Sequence, residues 1–516
     1  MKKLISVLLS IILAFSVAAP AFAAEAEEFP TIYVTGAQTN EIYSAENERI
    51  YPTGNDGKEI VKQALKPCLE KLVEGIITGD YEPYVQEFNN ALAPAFEKVI
   101  LDKNGEASDG SHPKYHSSTI KVSNKQSGYR WGDFRFWYDW RESPIKSAAE
   151  LKNYIDRVKE ATGKSKVQII GRCYGANVVS AYIVLYKEHA AENVSDIAYY
   201  SSSAWGIDFM SAIFTGELYL DETAISSFVD YYMENKDIIE DEALKELIVT
   251  MVDLFSQIKV LGLTGDALLK LVDQFKADLI PEAVLACVGS WPSYWAMVTS
   301  DKYEKARDFI FAGREEEYAK FIEKTDAYHY EVQLNIDSTM LELQKEGVNF
   351  YIFAKYNFPE FPLYKGATTQ GDAYTSVYRQ SFGANAADYE KIFSDKYISS
   401  VEEANRKYIS PDKKIDASTC LFPETTWFIK DLHHNDFDPL HNMSFEIMRY
   451  DLTVESEKYP QFLIYQDGAI SVLTGTDEDA TKPEDNKLVS FFRFLKSLFT
   501  FIAKLIKGET KIELPF

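Results

Sequence analysis

The stretch from Val167 to Tyr186 reads VQIIGRCYGANVVSAYIVLY. It begins with a mainly apolar run that fits a buried strand, and it ends with the small and apolar residues of a helix. Between them lies Gly171-Arg172-Cys173-Tyr174-Gly175, in which two glycines flank a cysteine. A G-x-[SC]-x-G sequence between a strand and a helix is typical of a nucleophile elbow, whose central side chain sits on a strained turn. The stretch therefore predicts a reactive thiol at position 173, aimed out of a sheet.

Strands and helices alternate on both sides of this stretch, which predicts an α/β fold. The amphipathic segment Ser147 to Thr162 predicts a helix that Ser147 caps, with Glu150 three residues on. Alternating strands and helices favour a mostly parallel sheet with helices on both faces. The segments with strand patterns are Pro30–Gly36, Phe134–Asp139, Lys166–Ile170, Ile197–Ser201, Val348–Phe353 and Thr425–Lys430.

A long helical interval separates the predicted strands into two groups. From residue 204 to about 346 the sequence has helical patterns without intervening strands, which is too long for an ordinary loop. We interpret it as an inserted helical lid between a first core part, 24–203, and a second core part, 347–473. The polar, acidic stretch TGTDEDATKPEDN at 474–486 predicts a linker to a C-terminal segment, 487–516.

The N-terminus has the three regions of a bacterial-type secretory signal peptide. Met1-Lys2-Lys3 is basic, Leu4 to Ala19 is apolar, and Ala21-Phe22-Ala23 has the spacing of a cleavage site. The sequence therefore predicts a signal peptide over 1–23 and a mature protein that is secreted or associated with the cell envelope.

Charge and cysteine content narrow the classes of partner. The chain has 54 Lys and Arg residues against 79 Asp and Glu residues, a formal net charge of -25, so it repels polyanions and nucleic acid is not an expected partner. Four cysteines in 516 residues are too few for a disulfide scaffold. The sequence shows no metal-ligand spacing and no phosphate-binding glycine loop, so no cofactor and no metal are predicted.

The C-terminal segment from Lys487 to Lys507 has the pattern of an amphipathic helix. A broad apolar face rich in phenylalanine opposes a narrow polar stripe, and the segment has five basic residues and no acidic ones. Such a helix suits peripheral contact with an anionic membrane. Docking on the protein's own domain is the alternative that the sequence leaves open.

The chain resembles secreted lipase and acyltransferase-like α/β-hydrolases of the lecithin:cholesterol acyltransferase type. The resemblance rests on Trp137-Tyr-Asp-Trp-Arg141, on the elbow at Cys173, on the helical insertion, on Gly371-Asp372 and on a late histidine. It spans roughly Pro30 to Pro439 and departs from the family at the nucleophile, where cysteine replaces serine. It implies an α/β-hydrolase fold and hydrolysis or transfer of an acyl group from an ester, with a lipid-like substrate.

An acid and a base must follow the nucleophile in that order for this chemistry. His434 stands where the resemblance implies the base, and His433 is its neighbour and rival. Asp372 stands where it implies the acid, and Asp416 is nearer in sequence to the histidine. The favoured set is Cys173, Asp372 and His434.

Further residues receive supporting roles. An oxyanion needs two N–H donors, for which Tyr174 and Ala37, with Gln38 behind it, are the candidates. The aromatic residues of the insertion are expected to line an apolar substrate pocket, and they are Trp291, Tyr294 and Trp295. Asp139 and Arg141 are interpreted as a structural pair.

A cysteine at the elbow suits nucleophilic chemistry because a helix N-terminus lowers the pKa of a thiol. Dienelactone hydrolases are similar in placing a cysteine at this point of the fold. A thiolate also leaves readily, so activated esters, lactones or thioesters suit it better than triglycerides. The alternative function is a binding protein that keeps the hydrolase scaffold without catalysis, and the reactivity of the thiol distinguishes the two.

Overall fold

The computed structural model describes residues 28–52, 71, 82–91, 96–122, 134–219, 223–224, 227–228, 231, 280–362 and 364–475. The predicted signal peptide, the C-terminal segment 487–516 and all but the first two residues of the predicted linker lie outside the described residues. So does 232–279, the middle of the predicted insertion.

An eight-stranded sheet forms the centre of the protein. In chain order its strands are β1 (Thr31–Val34), β2 (Phe134–Phe136), β3 (Val167–Arg172), β4 (Val194–Tyr200), β5 (Asn349–Tyr356), β6 (Thr426–Lys430), β7 (Phe462–Gln466) and β8 (Ala469–Val472). They lie in the order β2-β1-β3-β4-β5-β6-β7-β8, and all neighbours pair in parallel except β7 and β8, which are antiparallel. The predicted α/β class with a mostly parallel sheet is confirmed.

The sheet is buried on both faces because its central strands are apolar at nearly every position. In β1, Ile32 and Val34 belong to one hydrophobic core, while Tyr33 belongs to the other. This alternation follows from the period of two along a strand. Two cores on opposite faces are the arrangement that covered parallel sheets require.

Helices cover the sheet on each side. The larger core includes apolar side chains of α2 (Pro144–Thr162), α3 (Tyr174–Leu185), α5 (Asp208–Thr215), α7 (Tyr303–Ile310) and α9 (Ile336–Lys345). The smaller core includes Leu440, Met443 and Ile447 of α12 (Asp438–Tyr450). The remaining α-helices of the described residues are α1 (Glu82–Ala91), α4 (Lys187–Asn193), α6 (Pro292–Trp295), α8 (Ala319–Ala327), α10 (Val377–Gln380) and α11 (Asp395–Ser400).

The described part of the predicted insertion is helical and packs on the same core as the sheet. No strand lies between β4 and β5 among the described residues. Ile336, Met340 and Leu343 of α9 are buried in the larger core, so the end of the range 204–346 covers the sheet itself.

Short antiparallel ladders connect the loops outside the main sheet. They pair Ile42–Tyr43 with Arg49–Tyr51 and with His112–Pro113, Phe358–Pro359 with Gln370–Gly371, and Asn385–Ala386 with Ile415–Asp416.

Helix α2 begins earlier than the sequence pattern predicts. Its first residue is Pro144, and Ser143 is the N-cap, whose side chain accepts a hydrogen bond from the Ile145 N–H. Ser147 is a buried position within the helix, so the predicted cap at Ser147 is wrong. Proline at the first position suits a helix start because it has no N–H to leave unpaired.

Among the described residues, none of the helices is both long enough and apolar enough to cross a lipid bilayer.

Candidate active site

Cys173 lies at a strained turn between β3 and α3. Its backbone has φ 50° and ψ −123°, an unusual conformation for a residue with a side chain, and it is the N-cap of the helix. Such a conformation costs about 1–3 kcal/mol and persists only where the surrounding structure enforces it. Gly175 allows the turn to pack closely, because a Cβ atom there would lie 2.3 Å from the carbonyl oxygen of Val34. The turn thus has the geometry that the sequence predicts.

The loops that follow β5 and β6 bring two further side chains to this turn. His434 Nδ1 lies 2.7 Å from Asp372 Oδ2, and the same imidazole lies close enough to the Cys173 thiol for each group to shift the pKa of the other. Since Nδ1 faces the carboxylate, Nε2 is the ring nitrogen left to interact with the sulfur. Asp372 is fully buried, His434 is 5% exposed, and Cys173 is partly exposed. Thiol, imidazole and carboxylate therefore follow one another in series, from a partly exposed residue to a fully buried one.

The electrostatics of this series favour a thiolate and an imidazolium. Burial opposes both charges and is the largest influence on each, but the mutual attraction of the two groups outweighs it. The charge of His434 and its hydrogen bond hold the pKa of Cys173 below its ordinary value of 9.0. The carboxylate of Asp372 and the charge of Cys173 raise the pKa of His434 to about 9. Both shifts favour the thiolate–imidazolium pair over the neutral pair.

Asp372 is held in place by its own loop. Its Oδ1 accepts hydrogen bonds from the backbone N–H groups of Tyr374 and Thr375, at 3.1 and 2.9 Å. Its carbonyl oxygen accepts from the His434 backbone N–H at 3.1 Å. Burial would raise the pKa of this carboxyl, but His434, Lys355 and the Thr375 N–H together lower it. The acid-bearing and base-bearing loops are thus joined through backbone as well as side chains.

The two rival residues from the sequence lie elsewhere. The ring of His433 contacts Phe358 edge-on and accepts a hydrogen bond from the Asn435 N–H, and burial lowers its pKa to about 4. Asp416 accepts hydrogen bonds from the Ser418 N–H and hydroxyl and from the Tyr397 hydroxyl. Of the two candidate aspartates and two candidate histidines, the structure brings Asp372 and His434 to Cys173.

The loop after β1 borders the sulfur. A Cβ atom at Gly36 would lie 3.2 Å from Cys173 Cβ and 3.8 Å from its Sγ. Ala37 follows Gly36 directly. On the other segment, a hydrogen bond from the Tyr174 backbone N–H to the thiol lowers the pKa of Cys173. Gln38 has a positive φ of 59° and donates from Nε2 to the Tyr294 hydroxyl at 2.8 Å. The two predicted oxyanion donors thus belong to two segments that both border Cys173.

The three aromatic residues of the predicted pocket differ in position. Tyr294 is partly buried, bonded to Gln38 and close enough to Cys173 for the thiolate to raise its pKa, after the larger effect of burial. Trp291 and Trp295 are each 1% exposed, and their indole N–H groups donate to the carbonyl oxygens of Val99 and Gly289. Their packing in the core gives both tryptophans a structural role.

Sequence reasoning missed a buried lysine behind the base. Lys355 of β5 is fully buried, and its Nζ donates to the carbonyl oxygens of His433, His434 and Asp436 at 3.0, 3.0 and 2.8 Å. Burial lowers its pKa to about 7, against the opposing attraction of Asp372. The signal was present in Asn349–Tyr356, where one charged residue stands near the end of an apolar strand.

The sequence pattern also assigns no role to Arg172, which directly precedes Cys173. Its guanidinium carbon lies 3.5 Å from the centroid of the Phe437 ring, and Lys355 Nζ lies 3.8 Å from the same centroid. Cationic groups over aromatic faces are attracted by the ring quadrupole. Both cations therefore bind the loop that carries His434.

Asp139 and Arg141 form the structural pair that the sequence predicts. Arg141 Nε and Nη2 donate to the two carboxylate oxygens of Asp139, at 3.0 and 2.7 Å, and both residues are buried. Arg141 also donates to Ser111 Oγ at 3.0 Å. The pair connects the segment after β2 to the preceding loop.

The other described thiols are unlike Cys173. Cys287 and Cys420 are buried, and burial raises their pKa to about 12 and about 11. Within the described part of the chain, no three or more His, Cys, Asp or Glu side chains form a cluster able to hold a metal ion.

Comparison with known proteins adds little to this geometry. No protein-family model and no curated protein matches the chain. Among the solved structures that match is the crystal structure of the Tle4-Tli4 complex, with 13% sequence identity and a TM-score of 0.18. The match covers 36% of this chain and 48% of that one, so it spans about half of the solved chain. A TM-score of this size carries no argument about fold or function.

Proposed function

We propose that this protein is an exported α/β-hydrolase that uses Cys173, His434 and Asp372 to hydrolyse an ester or to transfer its acyl group. The observation that carries the proposal is the series from Cys173, a partly exposed residue at a strained strand-to-helix turn, through His434 to a buried carboxylate. The order of the strands supports it, since nucleophile, acid and base follow β3, β5 and β6 at the carboxyl ends of parallel strands.

The first half of the reaction forms a thioester. The Cys173 thiolate attacks the ester carbonyl carbon, and the carbonyl electron pair moves to the oxygen, which the N–H groups of Tyr174 and Ala37 stabilise. Collapse of this intermediate expels the alkoxide, which takes the proton of the His434 imidazolium. Because the pKa of His434 is about 9 while the thiolate is present, the proton is available at neutral pH.

The second half needs His434 as a base. Acylation removes the thiolate charge, which is one of the influences that raise the pKa of His434, so that pKa falls in the acyl-enzyme. The neutral imidazole accepts a proton from water, or from an acceptor alcohol, as its oxygen attacks the thioester. Expulsion of the Cys173 thiolate then restores the ion pair.

A thiol nucleophile restricts which esters can be substrates. A thiolate is a better leaving group than a simple alkoxide, so the first intermediate reverts to substrate unless the ester is activated. Activated esters, lactones and thioesters are therefore the proposed substrates, with an apolar, lipid-like acyl group beside Tyr294.

Selective alkylation tests the proposed thiolate without knowledge of the substrate. At pH 7 we expect iodoacetamide to modify Cys173, because its pKa is lowered, while a thiol of pKa about 12, as in Cys287, has a thiolate fraction of about 10⁻⁵. Peptide mass spectrometry assigns the modified cysteine. In the His434→Ala control, modification at pH 6.5 should fall sharply and recover near pH 9.5, where an ordinary thiol ionises.

Equal or absent modification of Cys173 and Cys287 at pH 7 would favour the alternative, a non-catalytic binding protein with the same scaffold.

We also propose that the C-terminal segment brings the protein to anionic membranes. Each basic residue near such a surface adds about 1 kcal/mol, but the strongly acidic remainder of the chain opposes approach. We therefore expect weak, salt-sensitive sedimentation with phosphatidylserine vesicles that is lost when 487–516 is deleted. Equal sedimentation of the two proteins, or none, would favour a helix docked on the domain.

A further inference from the structure

A lysine in the middle of the sheet reaches the loop that carries the base. Lys355 lies near the end of β5, and its side chain has no exposed surface. Its Nζ donates to three acceptors of the loop, the carbonyl oxygens of His433, His434 and Asp436. An ammonium group has three N–H donors, so the three carbonyls match its charged form.

The backbone of the same lysine is held by the side chain of Gln380. Its backbone N–H donates to Gln380 Oε1 at 2.9 Å, and its carbonyl oxygen accepts from Gln380 Nε2 at 3.1 Å. Gln380 Nε2 also donates to the carbonyl oxygen of Thr375, in the loop that holds Asp372. Lys355 therefore stands where the base-bearing loop, the acid-bearing loop and the central sheet meet.

The positive charge of Lys355 also offsets the negative charge of Asp372. Asp372 is fully buried, and a buried carboxylate is costly unless a cation accompanies it. In the resting ion pair His434 supplies that cation, but in the acyl-enzyme the imidazole must be neutral. Below its pKa of about 7 Lys355 is an ammonium in both states, and its charge lowers the pKa of the Asp372 carboxyl.

From these contacts we propose that Lys355 is a positioning residue, whose ammonium group holds the loop 433–436 so that His434 stays between Asp372 and Cys173. The inference rests on the proposed function, because it assigns Lys355 to the reaction that these three residues perform. It gives the lysine no contact with the substrate.

Its test compares Lys355→Met, which keeps the length of the side chain without its donors, with Lys355→Arg, which keeps the charge. Lys166→Met is the matched control, since Lys166 Nζ also donates to main-chain carbonyls, those of Ala191 and Val194, beside the start of β3. The measured quantity is the rate of Cys173 alkylation by iodoacetamide at pH 6.5 and pH 9.5, with circular dichroism as the check on folding.

At pH 6.5 we expect Lys355→Met to slow the alkylation of Cys173 on the order of 100-fold, because a displaced imidazole no longer sustains the thiolate. Lys355→Arg should lose less, Lys166→Met should match the wild type, and all rates should converge at pH 9.5. If Lys355→Met does not fold, Lys355→Gln, which is neutral but keeps two N–H donors, replaces it with the same expectation.

Wild-type alkylation rates in a folded Lys355→Met or Lys355→Gln variant would overturn the positioning role. So would an equal slowing at both pH values, which indicates only altered access to the sulfur. Failure of the proposed function is a different result, since the wild-type Cys173 would then lack selective reactivity at pH 7.

Discussion

Replacing Cys173 with alanine should lower ester turnover on the order of 10⁴-fold or more, while the protein remains folded. The substitution removes the atom that forms the thioester, and what remains is the contribution of binding and of the oxyanion donors. The measurement is the steady-state hydrolysis of a series of p-nitrophenyl esters, which are activated, with acyl chains of increasing length.

Cys287→Ala is the matched control, because Cys287 is a buried free thiol with a raised pKa and lies outside the site. Turnover in that variant should be close to the wild-type value. Cys173→Ser keeps a nucleophile in the same turn and should retain part of the activity. Unchanged turnover in Cys173→Ala would remove the basis of the proposed function.

Two adjacent histidines should differ greatly in their effect. We expect His434→Ala to lower turnover by about 10³-fold or more, because no other described group links Asp372 to the thiol. His433→Ala should cost less than about tenfold, since that ring contacts Phe358 and its pKa of about 4 keeps it neutral at pH 7.

The same p-nitrophenyl ester assay, with thermal unfolding as the control for stability, compares the two variants. The reverse ranking would move the base to His433 and contradict the geometry of the loop after β6.

The sheet could be predicted from sequence wherever apolar strands stand between clear turns. β1, β3 and β6 lie within a few residues of their predicted positions. The elbow at Cys173 was recognisable because two glycines frame it and a strand and a helix flank it. Here local pattern and tertiary structure agree.

The hairpin of β7 and β8 was missed, although the sequence contains its signal. Asp467 and Gly468 both have positive φ, as the two-residue turn between antiparallel strands requires. The strands beside this Asp-Gly pair are partly exposed and short, so their alternation is weak against the polar residues around them.

The site was predictable only in its order. Nucleophile, acid and base follow one another along the chain, but the choice of Asp372 over Asp416 depends on where two loops meet in space. The strand pattern signals that Lys355 is unusual but not what it binds, because its three acceptors are backbone carbonyls of a loop that follows another strand. Every residue has a backbone carbonyl, so such acceptors produce no pattern of residue types in the sequence.

The sheet order has a consequence for how the protein matures. Cys173 follows β3, while Asp372 and His434 follow β5 and β6, and β4 lies between the first of these strands and the other two. Parallel pairing of distant segments is slow because long loops must close before any contact rewards them. Until β5 and β6 pair with the sheet, Cys173 therefore lacks the His434 imidazole that lowers its pKa. The share of the lowered Cys173 pKa that His434 contributes is therefore a property of the completed sheet and not of the elbow alone.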